Sequence, residues 1–335
     1  MRAMRSLGLA AAFAAVLTLT ACGDPGSGGG TADPTPDGGV QAGAQCDPVA
    51  GEQLVVLDDD QGLQNADNII PAVNAQAATA NPQIISLLDA VSAVLDTEQL
   101  IGLNKAVDID RQTSSEVAKK FVADEGLAAQ DTPGTGVSVV VGTGNFSESQ
   151  TLGEVYGEVL RSAGFTVEVR TVGNRETYLP ALKSGELTVV PEYAATLAEF
   201  LNKSVNGADA APVASDDVDA TVSALTPLAQ QYGITVGKAS AAQDQNAFAV
   251  TREFADAHGV STLSELAEAC AGGVVLAGPA ECPERPFCQP GLEETYRLKF
   301  TEFKSYDFGL IGQAVRQGEA AIGLVLSSDG SLATQ

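Results

Sequence analysis

Apolar and polar positions follow strand-like and helix-like periods in turn through the second half of the chain. Residues 137–141 form an almost unbroken apolar run, which is typical of a buried parallel strand. Apolar side chains then recur every three or four positions over 152–160, as on the buried face of a helix. A strand-like segment follows at 166–171, a helical one at 176–184 and another strand at 187–190. This β-α-β-α-β order predicts parallel strands joined by crossover helices.

The same alternation of elements extends to both sides of this segment. It predicts strands near 54–57, 69–73, 247–251, 273–277 and 320–326, and helices near 82–95, 97–106, 114–122, 261–270, 291–297 and 308–317. Ser147 and Gln150 have the spacing of a capping box at a helix start. The pattern predicts an α/β fold that is long enough for two lobes with separate cores.

The first residues have the pattern of a secretion signal. Two arginines within 1–5 precede an apolar run at 7–19, which is too short to span a bilayer. The sequence Leu19-Thr-Ala-Cys22 resembles a bacterial lipobox, so we predict a removable signal over 1–21 and a diacylglycerol lipid on Cys22. An ordinary secretory signal with a coincidental cysteine is the alternative. Residues 22–45 hold few large apolar side chains and are predicted to be a flexible tether.

Charge and composition exclude several classes of function. The chain has 18 basic and 43 acidic residues, for a net charge of -25. Nucleic-acid binding requires basic residues that neutralise phosphates, so we predict no nucleic-acid partner. The acidity mildly favours a cationic ligand. His258 is the single histidine of the sequence, and no Gly-x-Ser-x-Gly, P-loop or Cys-x-x-Cys motif occurs, so we predict no enzymatic activity, metal or cofactor.

The five cysteines predict a lipid site and two disulfides. With Cys22 assigned to the lipid, an even number remains in an exported chain. Cys282 and Cys288 bracket a short proline-containing loop and are predicted to pair with each other. Cys46 and Cys270 are then left for each other, and two unpaired thiols are the alternative.

A series of short motifs follows in order from residue 139 to the end of the chain. They are 139–148 (VVVGTGNFSE), 173–176, 180–186, Pro191-Glu-Tyr193 with Thr196, 246–251, 281–288, 290–292 and 327–330. Their order and spacing resemble those of the glycine betaine/choline/carnitine-binding proteins of osmoprotectant ABC importers. The resemblance implies a two-lobe α/β fold of the type II periplasmic-binding-protein-like kind. It also implies a monomer anchored at the outer face of the cell membrane, which binds a small solute for an ABC permease subunit.

The order of the motifs predicts that this fold is circularly permuted. In the family the chain continues beyond the motif that matches 327–330, into a further strand and C-terminal helices. Stretches that resemble this missing end stand at the front of this chain, at 54–60, 66–73, 97–104 and 117–126. The predicted organisation is lobe I from 53–125 plus 137–240, a linker at 127–136 and lobe II from 241–335. A separate N-terminal domain fused to a truncated binding protein is the alternative.

The permutation leads to an expectation about the hinge. Folds of this kind have two chain crossings between their lobes, which act as the hinge for closure. One crossing is predicted near 236–246, and the other at the new chain ends, 327–335 and 46–57. A disulfide between Cys46 and Cys270 would then tie the two lobes together.

The resemblance also implies ligand-binding residues. A quaternary ammonium has no N–H donors and is held by aromatic faces, whereas a carboxylate needs an arginine or hydroxyls. Tyr193 matches a tyrosine of the aromatic cage, Phe248 a second aromatic position, Thr196 a hydroxyl at the anionic end of the ligand and Arg285 a carboxylate-binding arginine. The structural alternatives are core packing for the two aromatics, a helix start for Thr196 and a solvated loop for Arg285.

Two departures from the family weaken the predicted cage. Leu326 and Asp67 stand where some betaine binders have cage tyrosines, and Asp67 is predicted to contact a charged amine or a hydroxyl. Asn145, Ser147 and Gln245 complete the predicted pocket, although Asn145 and Ser147 fit turn and cap roles equally well. The sequence therefore predicts a protein that binds a small cationic or zwitterionic solute of the quaternary ammonium type. A ligand-sensing lipoprotein without a transport role is the alternative, because a fold does not fix a function.

Overall fold

The computed structural model describes residues 44–333, so the predicted signal and all but the end of the predicted tether lie outside the described residues. The strands are β1 Leu54–Leu57, β2 Ile69–Asn74, β3 Ser138–Gly144, β4 Thr166–Gly173, β5 Val189–Tyr193, β6 Ile234–Val236, β7 Asn246–Thr251, β8 Val274–Gly278, β9 Phe300–Ser305 and β10 Ile322–Leu326. The α-helices are α1 Ala75–Ala80, α2 Gln83–Val94, α3 Thr97–Asn104, α4 Ser114–Asp124, α5 Ser147–Ser162, α6 Arg175–Ser184, α7 Ala194–Asn206, α8 Val218–Tyr232, α9 Arg252–His258, α10 Leu263–Ala269, α11 Gln289–Thr295 and α12 Ile311–Arg316. Within residues 44–333 no helix is long and apolar enough to cross a membrane.

The first sheet, with its helices, forms lobe I. Its strand order is β4-β3-β5-β2-β6, with β3 parallel to β4 and β5, and β2 antiparallel to β5 and β6. The central strands are apolar on both sides because helices cover both faces of the sheet. On one face Val141 packs in a cluster with Leu152 of α5. On the other, Val190 packs in a cluster with Leu179 of α6 and Leu201 of α7.

The second sheet, with its helices, forms lobe II and repeats this arrangement. Its order is β1-β7-β10-β8-β9, with β8 parallel to β9 and β10, and β7 antiparallel to β1 and β10. Leu276 packs with Phe254 of α9 and Leu266 of α10 on one face, and Ala277 packs with Val315 of α12 on the other. In each sheet three neighbouring parallel strands are followed by one strand of opposite direction and then by an edge strand that is antiparallel to it. The predicted α/β class and two-lobe organisation are confirmed.

The position of β1 corrects the predicted lobe boundary. The sequence assigned 53–125 to lobe I, but Leu54 pairs with Thr251 and Leu57 with Phe248, so β1 is an edge strand of lobe II. The chain therefore crosses between the lobes at 58–68 and again at 237–245. The crossing expected near 236–246 is present, whereas the one expected at the chain ends is wrong. A short apolar strand can pair with either sheet, and its sequence does not reveal the partner.

The four described cysteines lie in two pairs within lobe II. The Cα atoms of Cys46 and Cys270 are 5.3 Å apart and those of Cys282 and Cys288 are 5.2 Å apart, with the sulfur atoms at disulfide distance in each pair. All four are buried in one cluster of the lobe II core. The expected bridge between the lobes is therefore wrong, because Cys46 and Cys270 both belong to lobe II. Their pairing fixes the segment before β1 to the body of that lobe.

Local structure also differs from the pattern at the start of α5. The predicted capping box is absent: Phe146 is the N-cap residue, and no side chain caps the helix there. Ser147 instead donates a 3.1 Å hydrogen bond from its hydroxyl to Asp108 Oδ2. The neighbouring segment Lys105–Ile109, a π-helical turn that follows α3, brings Asp108 within reach. The side chain of Ser147 thus bonds to Asp108, which is distant in sequence, and not to the start of its own helix.

Candidate functional site

A cavity of about 390 Å³ lies where the two crossings meet the two lobes. Its walls are formed by residues of both crossings, by the first turns of α7 in lobe I, and by Asn246 and two apolar side chains of lobe II. The lining residues are Gln64, Asn65, Asp67, Ala195, Thr196, Glu199, Asp244, Gln245, Asn246, Phe287 and Leu326. A volume of this size suits a small organic molecule.

The start of α7 presents polar groups to this cavity. β5 ends at Tyr193 and α7 begins at the next residue, so the first turn of the helix lies at the carboxyl end of the central strand of lobe I. The backbone N–H of Thr196 donates a 2.9 Å hydrogen bond to Asp67 Oδ1, and the Thr196 hydroxyl donates to Asp67 Oδ2. Asp67 thus satisfies a free N–H of the helix start, where a negative charge is favoured. Burial raises the pKa of the Asp67 carboxyl to about 6, although the bonds from Thr196 act to lower it.

Asp244 provides the second carboxylate, from the other crossing. Its backbone N–H donates to the carbonyl oxygen of Asp67 at 3.1 Å, so the two crossings are bonded to each other here. Its Oδ1 accepts a 2.8 Å hydrogen bond from the hydroxyl of Ser328 in lobe II. Burial, together with the neighbouring Glu148 carboxylate, raises the pKa of Asp244 to about 8.

Glu148 links the carboxylate region to the buried interior of lobe I. The Tyr193 hydroxyl donates to Glu148 Oε1 at 2.7 Å, and the Asn104 side-chain amide donates to Glu148 Oε2. The same amide donates to the carbonyl oxygen of Ser328 at 2.8 Å, which connects lobe I to lobe II. Burial and the nearby Glu148 carboxylate raise the pKa of the Tyr193 hydroxyl well above its usual value, so this tyrosine is a hydrogen-bond donor at neutral pH.

The Cys282–Cys288 loop positions the aromatic side chain of the cavity. Phe287 belongs to this loop, and its carbonyl oxygen accepts a 3.0 Å hydrogen bond from the Gln64 side chain on the first crossing. Phe287 is 44% exposed, so its ring is accessible to a ligand. Asn65 and Asn246 add amide groups to the same wall.

The structure brings together three of the predicted ligand residues. Asp67, Thr196 and Gln245 line the cavity, and Gln245 Oε1 accepts a 3.4 Å hydrogen bond from the Asp67 backbone. Leu326, the residue at a predicted cage position, lines it as well. Tyr193 does not line the cavity: it is 6% exposed, and its ring centroid lies 6.2 Å from that of Phe146.

The structure places the other predicted residues elsewhere. Phe248 is 1% exposed in the core of lobe II. It borders a second cavity, of about 450 Å³, whose walls come from β1, β7, α3 and both crossings and which shares Gln64, Gln245 and Asn246 with the first. The Arg285 side chain is 62% exposed and pairs with Glu281 at 2.9 Å. This position agrees with the alternative that Arg285 is a solvated loop residue. Asn145 is exposed in the turn after β3, and Ser147 is engaged with Asp108.

Sequence reasoning missed Asp244, Glu148, Glu199 and Phe287. Glu148 and Phe287 lie inside the motifs 139–148 and 281–288, so the resemblance could have indicated them. Asp244 and Glu199 have no distinguishing pattern among the 43 acidic residues of the chain. Only their position in the wall of the cavity, together with Asp67, sets them apart.

One group of side chains has the donor types of a metal site. Ligand atoms of Cys46, His258 and Cys270 all lie within 4.8 Å of one another. A metal requires cysteine thiolates, however, and these two sulfur atoms lie at disulfide distance. In this state the group does not fit a metal ion.

Comparison with known proteins identifies a family and a fold. The family described as the substrate binding domain of ABC-type glycine betaine transport systems matches residues 47–124 and 137–334. A crystal structure named as a glycine betaine/carnitine/choline ABC transporter is 17% identical, with a TM-score of 0.45, over 58% of this chain and 70% of that chain. The apo form of YehZ from Escherichia coli is 21% identical, with a TM-score of 0.51, over 58% of this chain and 71% of that chain. No curated protein matches the chain. The family resemblance seen in the sequence motifs is confirmed.

Proposed function

Because the chain belongs to the family of substrate-binding domains of ABC-type glycine betaine transport systems, we propose that it captures a small cationic or zwitterionic solute between its two lobes. Proteins of this family are extracytoplasmic solute-binding components of importers and not enzymes. The solute would pass from the cleft to an ABC permease subunit, with the chain acting as a monomer.

The observation that carries this proposal is the cavity at the two crossings. It combines carboxylates from both crossings with Phe287 and Leu326 from lobe II and the start of α7 from lobe I. A solute in this position would contact both lobes at once. Its binding would therefore favour the closed arrangement of the lobes, as in hinge closure of binding proteins.

Thermal unfolding with a panel of solutes tests the proposal. A ligand that binds only the folded chain, present at 100 times its Kd, stabilises it by about 2.7 kcal/mol. We expect at least one of choline, glycine betaine, carnitine, ectoine and putrescine to raise the melting temperature, while sucrose at the same concentration does not. The absence of a selective shift with every member of the panel would contradict the proposal.

The proposed site of membrane attachment is Cys22. Residues 22–45 would form a tether from the lipid to Cys46, where the pairing with Cys270 anchors the chain to lobe II. A diacylglycerol carries two acyl chains, which suffice for stable attachment. Release of the Cys22→Ala variant from membranes into the medium would support this arrangement.

We further propose that the fold is a circular permutant of the family. The two sheets share one pattern, and in each lobe the edge strand next to the antiparallel strand is joined to the other lobe, β1 leading to β2 and β6 to β7. If the chain began at β3, lobe I would start with the β-α-β-α-β unit of parallel strands β3, β4 and β5, and lobe II would follow with its corresponding parallel strands β8, β9 and β10 after β7. The family match is interrupted at 125–136, around the linker that the permutation predicts.

A rearranged chain tests the permutation. It would start at residue 137, run to 335, continue from 46 and end at 125. Since both crossings are retained, we expect it to fold and to bind the same solute as the natural order. Failure to fold, in a chain that retains every described helix and strand, would contradict the proposal.

A further inference from the structure

The walls of the cavity carry acidic side chains and, among residues 44–333, no basic one. Asp67, Glu199 and Asp244 line it, and within residues 44–333 no lysine, arginine or histidine does so. Glu199 is already engaged, since it accepts hydrogen bonds from the backbone N–H groups of Val213 and Ala214 at 2.6 and 2.9 Å. Asp67 also accepts two hydrogen bonds, but both come from Thr196 in the cavity wall itself, and Asp244 accepts one from Ser328. These two are the carboxylates that the crossings present to a ligand.

The arginines that could receive a ligand carboxylate are engaged or distant. Arg175 donates to the fully buried Glu192 at 2.8 Å and lies outside the lining. Arg285 is exposed and pairs with Glu281. The carboxylate of a betaine would therefore face acidic groups and find no cationic partner in the lining, which is unfavourable in a partly buried site.

The aromatic surface of the cavity is also too small for a quaternary ammonium. Phe287 is the aromatic side chain of the lining, while Tyr193 is buried with its hydroxyl bound to Glu148. One ring contributes about 0.5–2 kcal/mol to the binding of a cation. Micromolar affinity requires about 8 kcal/mol, and a trimethylammonium group has no N–H with which to use the oxygen atoms around it.

A primary ammonium group matches these walls. It has three N–H donors, and hydrogen bonds between charged groups are about twice as strong as neutral ones. We propose that the cavity selects a primary-ammonium cation without a carboxylate, such as an amino alcohol or a diamine, held by Asp67 and Asp244 with its carbon chain against Phe287. This inference rests on the proposed function and concerns the same site.

The titration of the two carboxylates agrees with this assignment. Burial raises the pKa of Asp67 and of Asp244, and the groups that face them include Thr196, Arg175 and Glu192 on one side and Glu148 and Ser328 on the other. A bound cation would supply the positive charge that these carboxylates lack.

Titration calorimetry with matched ligands tests the inference on the unaltered chain. Ethanolamine and choline differ only in three N-methyl groups, and putrescine and glycine betaine provide a carboxylate-free and a carboxylate-bearing ligand. At pH 8 we expect ethanolamine to bind at least ten-fold more tightly than choline, and putrescine at least ten-fold more tightly than glycine betaine. Asp244→Asn should weaken binding of the better ammonium ligand at least ten-fold, while Glu281→Gln, an acidic position outside the cavity, should leave it unchanged.

The possible outcomes separate this inference from the proposed function. Tighter binding of choline or glycine betaine would overturn the ligand class assigned here and leave the proposed function intact. Absence of binding by all four ligands would overturn the ligand class assigned here, whereas the proposed function fails only if carnitine and ectoine do not bind either. Equal affinities of the Asp244→Asn and Glu281→Gln variants would remove Asp244 from the site. If the Asp244→Asn variant fails to fold, the comparison of ethanolamine with choline still decides the question.

Discussion

Removal of the Cys46–Cys270 pair should destabilise the chain far more than removal of the Cys282–Cys288 pair. The perturbation is the double variant Cys46→Ala/Cys270→Ala, with Cys282→Ala/Cys288→Ala as its matched control. All four cysteines are at most 2% exposed in one core cluster, so the two variants lose similar packing. The difference between them therefore reports on the loops that the two bridges close.

The loop lengths set the expected magnitude. Cys46 and Cys270 are 224 positions apart, whereas Cys282 and Cys288 are 6 apart. In the chain-entropy treatment the long loop contributes about 5 kcal/mol to the free energy of unfolding and the short one about 2 kcal/mol. The long bridge also holds the segment before β1, where the Cys46 N–H donates to the Gly273 carbonyl oxygen at 3.1 Å.

Urea unfolding followed by circular dichroism is a suitable assay, since the chain has no tryptophan. Linear extrapolation gives the free energy of unfolding of each variant. We expect the loss in Cys46→Ala/Cys270→Ala to exceed that in the control by about 3 kcal/mol. Equal losses, or a smaller loss for the long bridge, would refute the reasoning, because they would mean that the segment before β1 opens locally without loosening the rest of lobe II.

Four further predictions follow from the sequence and the site. Cys22→Ala should appear in the medium instead of the membrane fraction, and full membrane retention on fractionation would contradict the lipid site. Tyr193→Phe should lower the free energy of unfolding by about 1–3 kcal/mol, because buried Glu148 loses a donor; an unchanged urea midpoint would speak against this bond. Since burial raises the pKa of Asp244 to about 8, the stability that its protonated form contributes should be lost as the pH rises through about 8. The melting temperature of the ligand-free chain should therefore fall from pH 6 to 8.5, and Asp244→Asn should flatten this slope; identical slopes would exclude Asp244 as the cause. Arg285→Ala should leave solute affinity unchanged, and a loss on calorimetric titration would return Arg285 to the site.

Local patterns in the sequence predicted most of the secondary structure. The apolar run at 137–141 corresponds to β3, and the helical repeat over 152–160 lies in α5, because burial on a sheet or on a helix face imposes its own spacing on apolar residues. The order of the short motifs also indicated the family and its two-lobe fold. They indicated Thr196 and Asp67, which the structure joins through two hydrogen bonds.

Tertiary structure decided what depends on partners distant in sequence. The sequence identified the strand at 54–57 but not its pairing with β7 in lobe II. Because β1 belongs to lobe II, one crossing lies at 58–68 and not at the chain ends, and Cys46 and Cys270 pair within one lobe. In the same way, the sequence around Asp244 does not distinguish it from an exposed aspartate. Its pKa is raised by burial and by the neighbouring Glu148, which only the folded chain provides. Periodicity records which face of an element is buried, whereas strand partners and the electrostatic surroundings of a charge are set by the whole folded chain.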